Sequence, residues 1–238
     1  MTVCPPEPHA DSSLSSEFLL GMSWMKALPA SVSDRILADA YTTIHDAHAV
    51  VARRGRHVDS WIGVASGLLK VVVDFESGKS VLFTGIPEGS WVGEGSVLKR
   101  EIRHYDLVAM RPSRVVHIPR ATFHWLLTVS FDFNRFIIDH LNERLAQFMA
   151  TVQTDRMIDP VSRLCRSIVG LYNPVLYPTR TAVLDMSQEE LGELAGLTRQ
   201  RTNYAIQSLV AEGLVQPQYG ALLVRDLEGL RHRSANGA

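Results

Sequence analysis

Residues 196–210 read GLTRQRTNYAIQSLV, and the rest of the chain can be organised around them. Gly196 tolerates the left-handed backbone of a tight turn, and Thr198 is a residue type that caps helices. Arg199 and Arg201 follow, with no acid before Val210. Ala205, Ile206, Leu209 and Val210 recur at helical spacing and predict the packed stripe of a short helix, with Thr202 at its margin. At 100° per residue the opposite face carries Gln200, Asn203, Tyr204 and Gln207, flanked by Arg199 and Arg201. Amides and arginines exposed on the N-terminal half of a helix suit base edges and phosphates. Just upstream, Ser187 and Glu190 stand at capping-box spacing. Leu191, Leu194 and Ala195 supply a second apolar stripe. Downstream, Gly213 ends the helix, and LVQPQYGALLV (214–224) predicts a two-stranded wing turning at Tyr219-Gly220.

The net charge of −1 gives no global field for nucleic acid, so any such site must be local. With 46% hydrophobic and 21% charged residues in 238 positions, the chain suits a globular protein of one large domain or two modest ones. The most apolar early run, Phe18 to Leu28, is about half a bilayer-spanning length and includes Lys26. It lacks the flanks of a signal peptide and reads as an amphipathic helix. Cys4 and Cys165 form no CxxC pair, which fits a reducing cytoplasm. The expected location is cytoplasmic, with no membrane partner.

Residues 1–15 are rich in Pro and Ser and predict a mobile tail. A short helical region follows, to about Ala40. From Tyr41 to about Thr122, β-rich runs such as SWIGVASGLLKVVVDF and KSVLFTGI alternate with glycines, with a hairpin turn expected near Gly78. This pattern predicts a small roll or sandwich. From Phe131 the texture becomes helical. Phe131, Asn134, Ile138, Leu141, Leu145, Phe148 and Val152 step by 3 and 4 in alternation, the seam of a coiled coil. Asn134, the lone polar seam residue, can fix register. Asp159-Pro160 predicts a new capped helix running to about Leu171, after a hinge at 154–160. The expected organisation is a tail at 1–15, a sensor domain at 16–130, a dimerisation helix at 131–155 and a DNA-binding domain at 156–238. The fold class is α+β: an N-terminal jelly-roll-like β-roll, a long helix and a C-terminal winged helix-turn-helix.

MSQEELGELAGLTRQRTNYAIQSLVAEGLV (186–215) resembles the helix-turn-helix of the Crp/Fnr family of bacterial transcription regulators. The layout of residues 20–232 is similar as well. The resemblance implies a homodimer on a pseudo-palindromic DNA site, a small-molecule effector at the roll, and RNA polymerase as a further partner. It implies that Thr198 and Arg201 approach phosphates while Arg199, Gln200 and Tyr204 face bases. Gln200 and Tyr204 stand where cyclic-AMP-responsive members carry a glutamate and an arginine, so Arg199 on guanine is the expected readout. In nucleotide-binding members a Gly-Glu pair holds the ribose and an arginine about ten residues on holds the phosphate. Gly93-Glu94 and Arg103 match them. His104 and Tyr105 follow where small residues are usual, and the tyrosine would crowd the phosphate. The helix positions that face a purine fall on Phe148 and Met149, neither a strong hydrogen-bonding group. The implied effector is a small ligand other than cyclic AMP. A cyclic nucleotide, a redox or gas signal, and an internal Glu94–Arg103 salt bridge with no ligand are the alternatives.

Other chemistry is poorly supported. His45, His48 and His57 lack a nearby carboxylate to complete a metal set. His104, His117, His124 and His140 are scattered. Cys165 sits beside Leu164 and Ile168 and reads as a buried, inert thiol. Trp61, Trp91 and Trp125 read as core. No triad, P-loop or GxGxxG motif is present, so neither an enzyme nor a cofactor or metal is expected. A cupin-like enzyme would need a His/Glu cluster. A ligand-binding module whose helical tail contacts protein would keep the same pattern without binding DNA.

Overall fold

A computed structural model of the chain describes residues 12–74, 80–155, 159–178 and 181–235. Most of the expected tail, Cys4, the turn at Gly78 and the centre of the expected hinge lie outside the described residues. The chain divides into two compact units, Met1–Val81 with Gly85–Asn142, and Leu82–Thr84 with Glu143–Ala238. The fold class is the expected one: a β-roll, a long helix and a winged helix-turn-helix.

The first unit opens with three helices, α1 (Ser12–Gly21), α2 (Ser23–Lys26) and α3 (Ala30–Asp39). Strands β1 (Tyr41–His45), β2 (Val50–Ala52), β3 (Ser60–Ser66), β4 (Leu68–Asp74), β5 (Ser80–Pro87) and β6 (Trp91–Val92) follow. Then come α4 (Glu94–Lys99), β7 (Asp106–Ala109), β8 (Ser113–Pro119), α5 (Arg120–Val129) and the start of α6 (Phe131–Asp155). The strands form two four-stranded sheets, ordered β1-β8-β3-β6 and β2-β7-β4-β5.

Strand β3 is buried on both faces from Ser60 to Val64. Alternation explains how: Trp61 and Gly63 point one way, and Ser60, Ile62 and Val64 the other. On the first side, Trp61 stacks on Trp91 at 4.0 Å and meets Trp24, Phe123 and Phe133 edge-on or tilted at 5.5–5.8 Å. This cluster joins the N-terminal helices, the sheet, α5 and the start of α6 in one aromatic core. Each large apolar side chain buried there contributes about 1.5–3 kcal/mol. Trp61 and Trp91 are thus core, whereas Trp125 is half-buried beneath the Arg35 guanidinium, 4.0 Å from its ring.

The other face of the sheet carries a polar chain inside the roll. Ser60 Oγ lies 2.8 Å from His117 Nδ1, while the Nε2 atoms of His117 and His45 both lie 2.8 Å from Thr43 Oγ1. Burial, then His45 and Arg103, push His117 down from 6.5 to about 3. Burial lowers His45 too, against the pull of Asp46. These histidines satisfy the roll's interior, and among the described residues no group of three or more His, Cys, Asp or Glu could hold a metal.

The second unit contains the rest of α6, α7 (Pro160–Gly170), β9 (Val183–Leu184), α8 (Gln188–Leu194), α9 (Arg199–Ala211), β10 (Val215–Gln218), β11 (Ala221–Val224) and α10 (Leu227–Ala235). Asp159 caps α7, accepting from the Val161 and Ser162 amides, with Pro160 in the first turn. Burial raises the Asp159 carboxyl, but hydrogen bonds from Ser162 and Val161, with Arg233 beside it, outweigh that and hold it below its ordinary value. Arg233 also reaches Glu212 at 3.6 Å, so α10 is tied to α7 and to the end of α9. Strand β9 adds a third strand to the expected wing, in the order β10-β11-β9.

Candidate DNA-reading helix and effector site

The helix-turn-helix is built by local chemistry. Ser187 Oγ accepts from the Glu190 amide at 3.2 Å, and Glu190 Oε2 accepts from the Ser187 amide at 2.7 Å, a complete capping box. Gly196 takes φ +62°, and a β-carbon there would come within 2.8 Å of Arg163 Nη2. The same arginine donates Nε to the Ala195 carbonyl at 3.2 Å, bracing the turn. Thr198 then caps α9, accepting from the Arg201 amide at 3.4 Å.

Helix α9 buries Thr202, Ala205, Ile206 and Leu209. Two expectations need correction here. Thr202 is a core residue at 2% exposure, not a marginal one. Its hydroxyl donates to the Thr198 carbonyl at 3.0 Å, so burial leaves it satisfied, and its side chain fills the space over Gly192. Val210, expected in the packed stripe, is exposed at 37%, because the helix turns it out beyond Leu209. Thr198, Arg199, Gln200, Arg201, Asn203, Tyr204 and Gln207 are all exposed. No acid lies in the first turn. At the tip of the β10–β11 hairpin, Tyr219 is fully exposed beside Gly220 at φ +66°.

In the roll, Gly93 precedes α4 with φ +95°, a conformation that favours glycine. A β-carbon there would stand 3.2 Å from Arg103 Nη1 and 3.8 Å from the Tyr105 hydroxyl. The structure therefore brings Gly93, Arg103 and Tyr105 to one corner. Arg103 is 4% exposed, and its Cζ lies 5.4 Å from the Tyr105 ring centroid. Nη1 makes no hydrogen bond among the described residues. A guanidinium and a phenol at one corner are a donor set for an anion.

Glu94 is placed differently from the alternative of an internal bridge to Arg103. Its Oε1 lies 3.4 Å from His140 Nδ1, the two side chains being 4% and 1% exposed, and Nδ1 makes no hydrogen bond among the described residues. This neighbour is not among the contacts expected from the sequence. The signal was available: Phe133, Ile137, His140 and Arg144 form the buried stripe of α6, spaced 4, 3 and 4 apart, and two of the four are polar. Phe148 lies in the second unit, its ring edge-on to Phe83 at 5.8 Å.

Along α6 the seam positions split into two rows. Phe131, Ile138, Leu145 and Val152 are exposed at 78%, 65%, 59% and 58%. Asn134, Leu141 and Phe148 are half-buried. Asn134 does not present a free amide: its Nδ2 donates to the Leu127 and Ser130 carbonyls at 2.7 and 2.8 Å, closing the α5–α6 junction. Cys165 is buried, and burial, together with Glu212 and Asp159 and against Arg233, raises its thiol to about 12.

A roll of the cyclic-nucleotide-binding type joined to a winged helix-turn-helix defines a DNA-binding transcription regulator. The family profile for the cyclic nucleotide-binding domain matches residues 44–129, and that for the Crp-like helix-turn-helix domain matches residues 162–233. The chain belongs to the Crp/Fnr family. The cAMP-activated global transcriptional regulator CRP of Pasteurella multocida is 20% identical over 174 residues, 71% of this chain and 83% of that protein. Among solved structures, FixK2 of Bradyrhizobium japonicum superposes with a TM-score of 0.67 at 13% identity, covering 84% of this chain and 99% of that one. The c-di-GMP responsive global regulator CLP of Xanthomonas campestris has a TM-score of 0.56 at 21% identity, covering 82% of this chain and 99% of its own. At these identities the structures share the fold. No helix among the described residues is long and apolar enough to cross a membrane.

Proposed function

We propose that this chain is a homodimeric, sequence-specific regulator in which a small anionic effector other than cyclic AMP, bound at the roll, controls how two winged helices engage a pseudo-palindromic site. The observation that carries the proposal is the outward face of α9. Arg199, Gln200, Arg201, Asn203 and Tyr204 are exposed together on a helix whose other side buries Thr202, Ala205, Ile206 and Leu209. Thr198 and Arg201 serve the phosphates; Arg199 reads guanine, and Gln200, Asn203 and Tyr204 read neighbouring base edges. Dimerisation runs along Ile138, Leu141, Leu145, Phe148 and Val152, and the two reading helices of the dimer take half-sites about one turn of DNA apart. In this proposal residues 16–130 sense, 131–155 pair and 156–238 bind DNA.

The effector reading rests on the corner of Gly93, Arg103 and Tyr105. One relative's name describes it as cAMP-activated and another's as c-di-GMP responsive, and both of those effectors carry phosphate. Here the Tyr105 hydroxyl stands close to where a phosphate would meet Arg103, which favours a smaller or differently shaped anion over cyclic AMP.

The DNA reading is tested by selection from a randomised duplex library with purified full-length protein, followed by fluorescence anisotropy on the winning duplex. The expected result is a two-fold-symmetric consensus with half-sites about 10 base pairs apart. Arg199→Ala should weaken binding by about 1–3 kcal/mol and relax one base position, and Arg201→Ala should reduce the salt slope by about 1 without changing the consensus. Failure to enrich any sequence, with and without cell metabolites added, would refute the proposal.

A further inference from the structure

The winged helix-turn-helix is joined to α6 twice, once by the chain and once by side chains of the segment 171–178. That segment leaves α7 directly, with the Leu171 and Tyr172 amides donating to the Ile168 and Val169 carbonyls at 3.0 Å. The Tyr172 hydroxyl donates to the Ala182 carbonyl at 3.2 Å, and Leu171, Leu176 and Tyr177 are buried. The segment therefore moves with α7, which Arg163 braces against the turn before α9.

Its side chains meet α6 at two places. Asn173 donates Nδ2 to Glu143 Oε2 at 2.6 Å, while its Oδ1 accepts from the Val175 and Leu176 amides at 2.9 and 3.0 Å. One turn further along α6, Gln147 donates Nε2 to the Tyr177 hydroxyl at 2.7 Å, and Arg144 Nη1 donates to Gln147 Oε1 at 2.7 Å. Thr84 Oγ1 lies 3.2 Å from the same phenol oxygen. Tyr177 is 1% exposed and Arg144 6%, so the cluster's polar groups rely on one another for the bonds that water would supply. A single tie would let α6 pivot against the winged helix. Two ties about 6 Å apart along the helix fix its angle as well as its distance. Leu145, Met149 and Val152 are exposed on the opposite side of α6, so the ties leave the proposed pairing face clear.

We infer that Tyr177 and Asn173 are positioning residues that set which half-site spacing the dimer accepts. They lock each reading helix to its own pairing helix, so the two reading helices keep one separation. One base pair added between half-sites shifts them by about 3.4 Å and turns them by about 35°, which a locked dimer does not follow. The inference rests on the proposal that α6 pairs two chains on two half-sites.

The test measures fluorescence anisotropy of the full-length protein on the selected two-half-site duplex, on the same duplex with one base pair added or removed at its centre, and on a lone half-site. The wild type should bind the respaced duplexes about tenfold more weakly than the selected one, a penalty comparable to one mismatched base pair. In Tyr177→Phe and in Asn173→Ala that penalty should fall to about threefold or less, with affinity for the lone half-site unchanged. A merely structural role would weaken binding to every duplex alike and leave the penalty intact. Retention of the full penalty in either folded variant, or equal weakening on every duplex, overturns the inference while the dimer reading stands. Asn173→Ala, at a half-buried position, decides the matter if Tyr177→Phe misfolds. A wild type that binds the selected duplex no more tightly than the lone half-site removes the two-half-site reading, and the inference with it.

Discussion

The seam on α6 is the feature most open to a quantitative challenge. Ile138 and Leu145 are 65% and 59% exposed in the single chain, two turns apart on one face. Full burial of such a side chain contributes about 1.5–3 kcal/mol, so covering the exposed part contributes about 1–2 kcal/mol each. Two-fold symmetry doubles every contribution. The double substitution Ile138→Ala with Leu145→Ala therefore removes four side chains from the proposed dimer. Allowing for the β-carbons that remain, the loss is about 3–6 kcal/mol, which raises the dimer dissociation constant by roughly a hundredfold to ten-thousandfold. Sedimentation equilibrium over nanomolar to high micromolar protein measures this directly. Both side chains point away from their own unit's core, and surface substitutions of this kind shift intrinsic stability by within about 0.5 kcal/mol. The variant should keep its circular dichroism spectrum while losing its partner, and affinity for the two-half-site duplex should fall in parallel. A dissociation constant changed by less than about threefold would show that the seam does not pair the chains.

Three further outcomes follow from the packing and the buried groups. Gly192→Ala would press a β-carbon into the Thr202 hydroxyl, with the Thr202 Cβ and Cγ2 3.2 Å away; it should destabilise the protein by about 1–3 kcal/mol, lowering both melting temperature and DNA affinity, whereas Arg199→Ala should lower DNA affinity alone. His117 is held at about 3 in the folded chain against 6.5 ordinarily. Between those values the unfolded chain binds a proton that the folded chain does not, so its contribution is complete above pH 6.5 and is lost as pH falls towards 3, at up to about 1.4 kcal/mol per pH unit. Urea titrations from pH 4.5 to 7 should show that slope, flattened in His117→Gln; identical slopes would count against the assignment. Cys165, with its thiol at about 12 and buried, should resist iodoacetamide at pH 8 until urea unfolds the chain, as followed on its own peptide by mass spectrometry; rapid labelling of native protein would contradict this.

Much of the fold was legible because its signals are local. The capping box at Ser187–Glu190, the turn at Gly196, the cap at Thr198 and the Asp159-Pro160 helix start each depend on residues within a few positions of one another. The glycine-spaced β-runs likewise became β3 and β4, on either side of Gly67 at φ +97°. Strand β9 was missed because two residues carry no periodicity, and its pairing with β11 is made across the intervening helices. Thr202 was misjudged because whether a threonine can be buried depends on what it packs against, here the bare backbone of Gly192.

What the chain's order of residues determines by itself is the set of elements and the side chains each turns outward on its own axis, because capping, turn chemistry and periodicity act over one or two turns. Which buried polar groups meet is another matter. Glu94 and His140 are 46 positions apart by number, and Ser60, Thr43 and His117 come from three strands of one sheet. Such pairings are decided only when the sheet and the long helix close over a common interior, since the cost of leaving a charge or hydroxyl unmatched appears only once water is excluded.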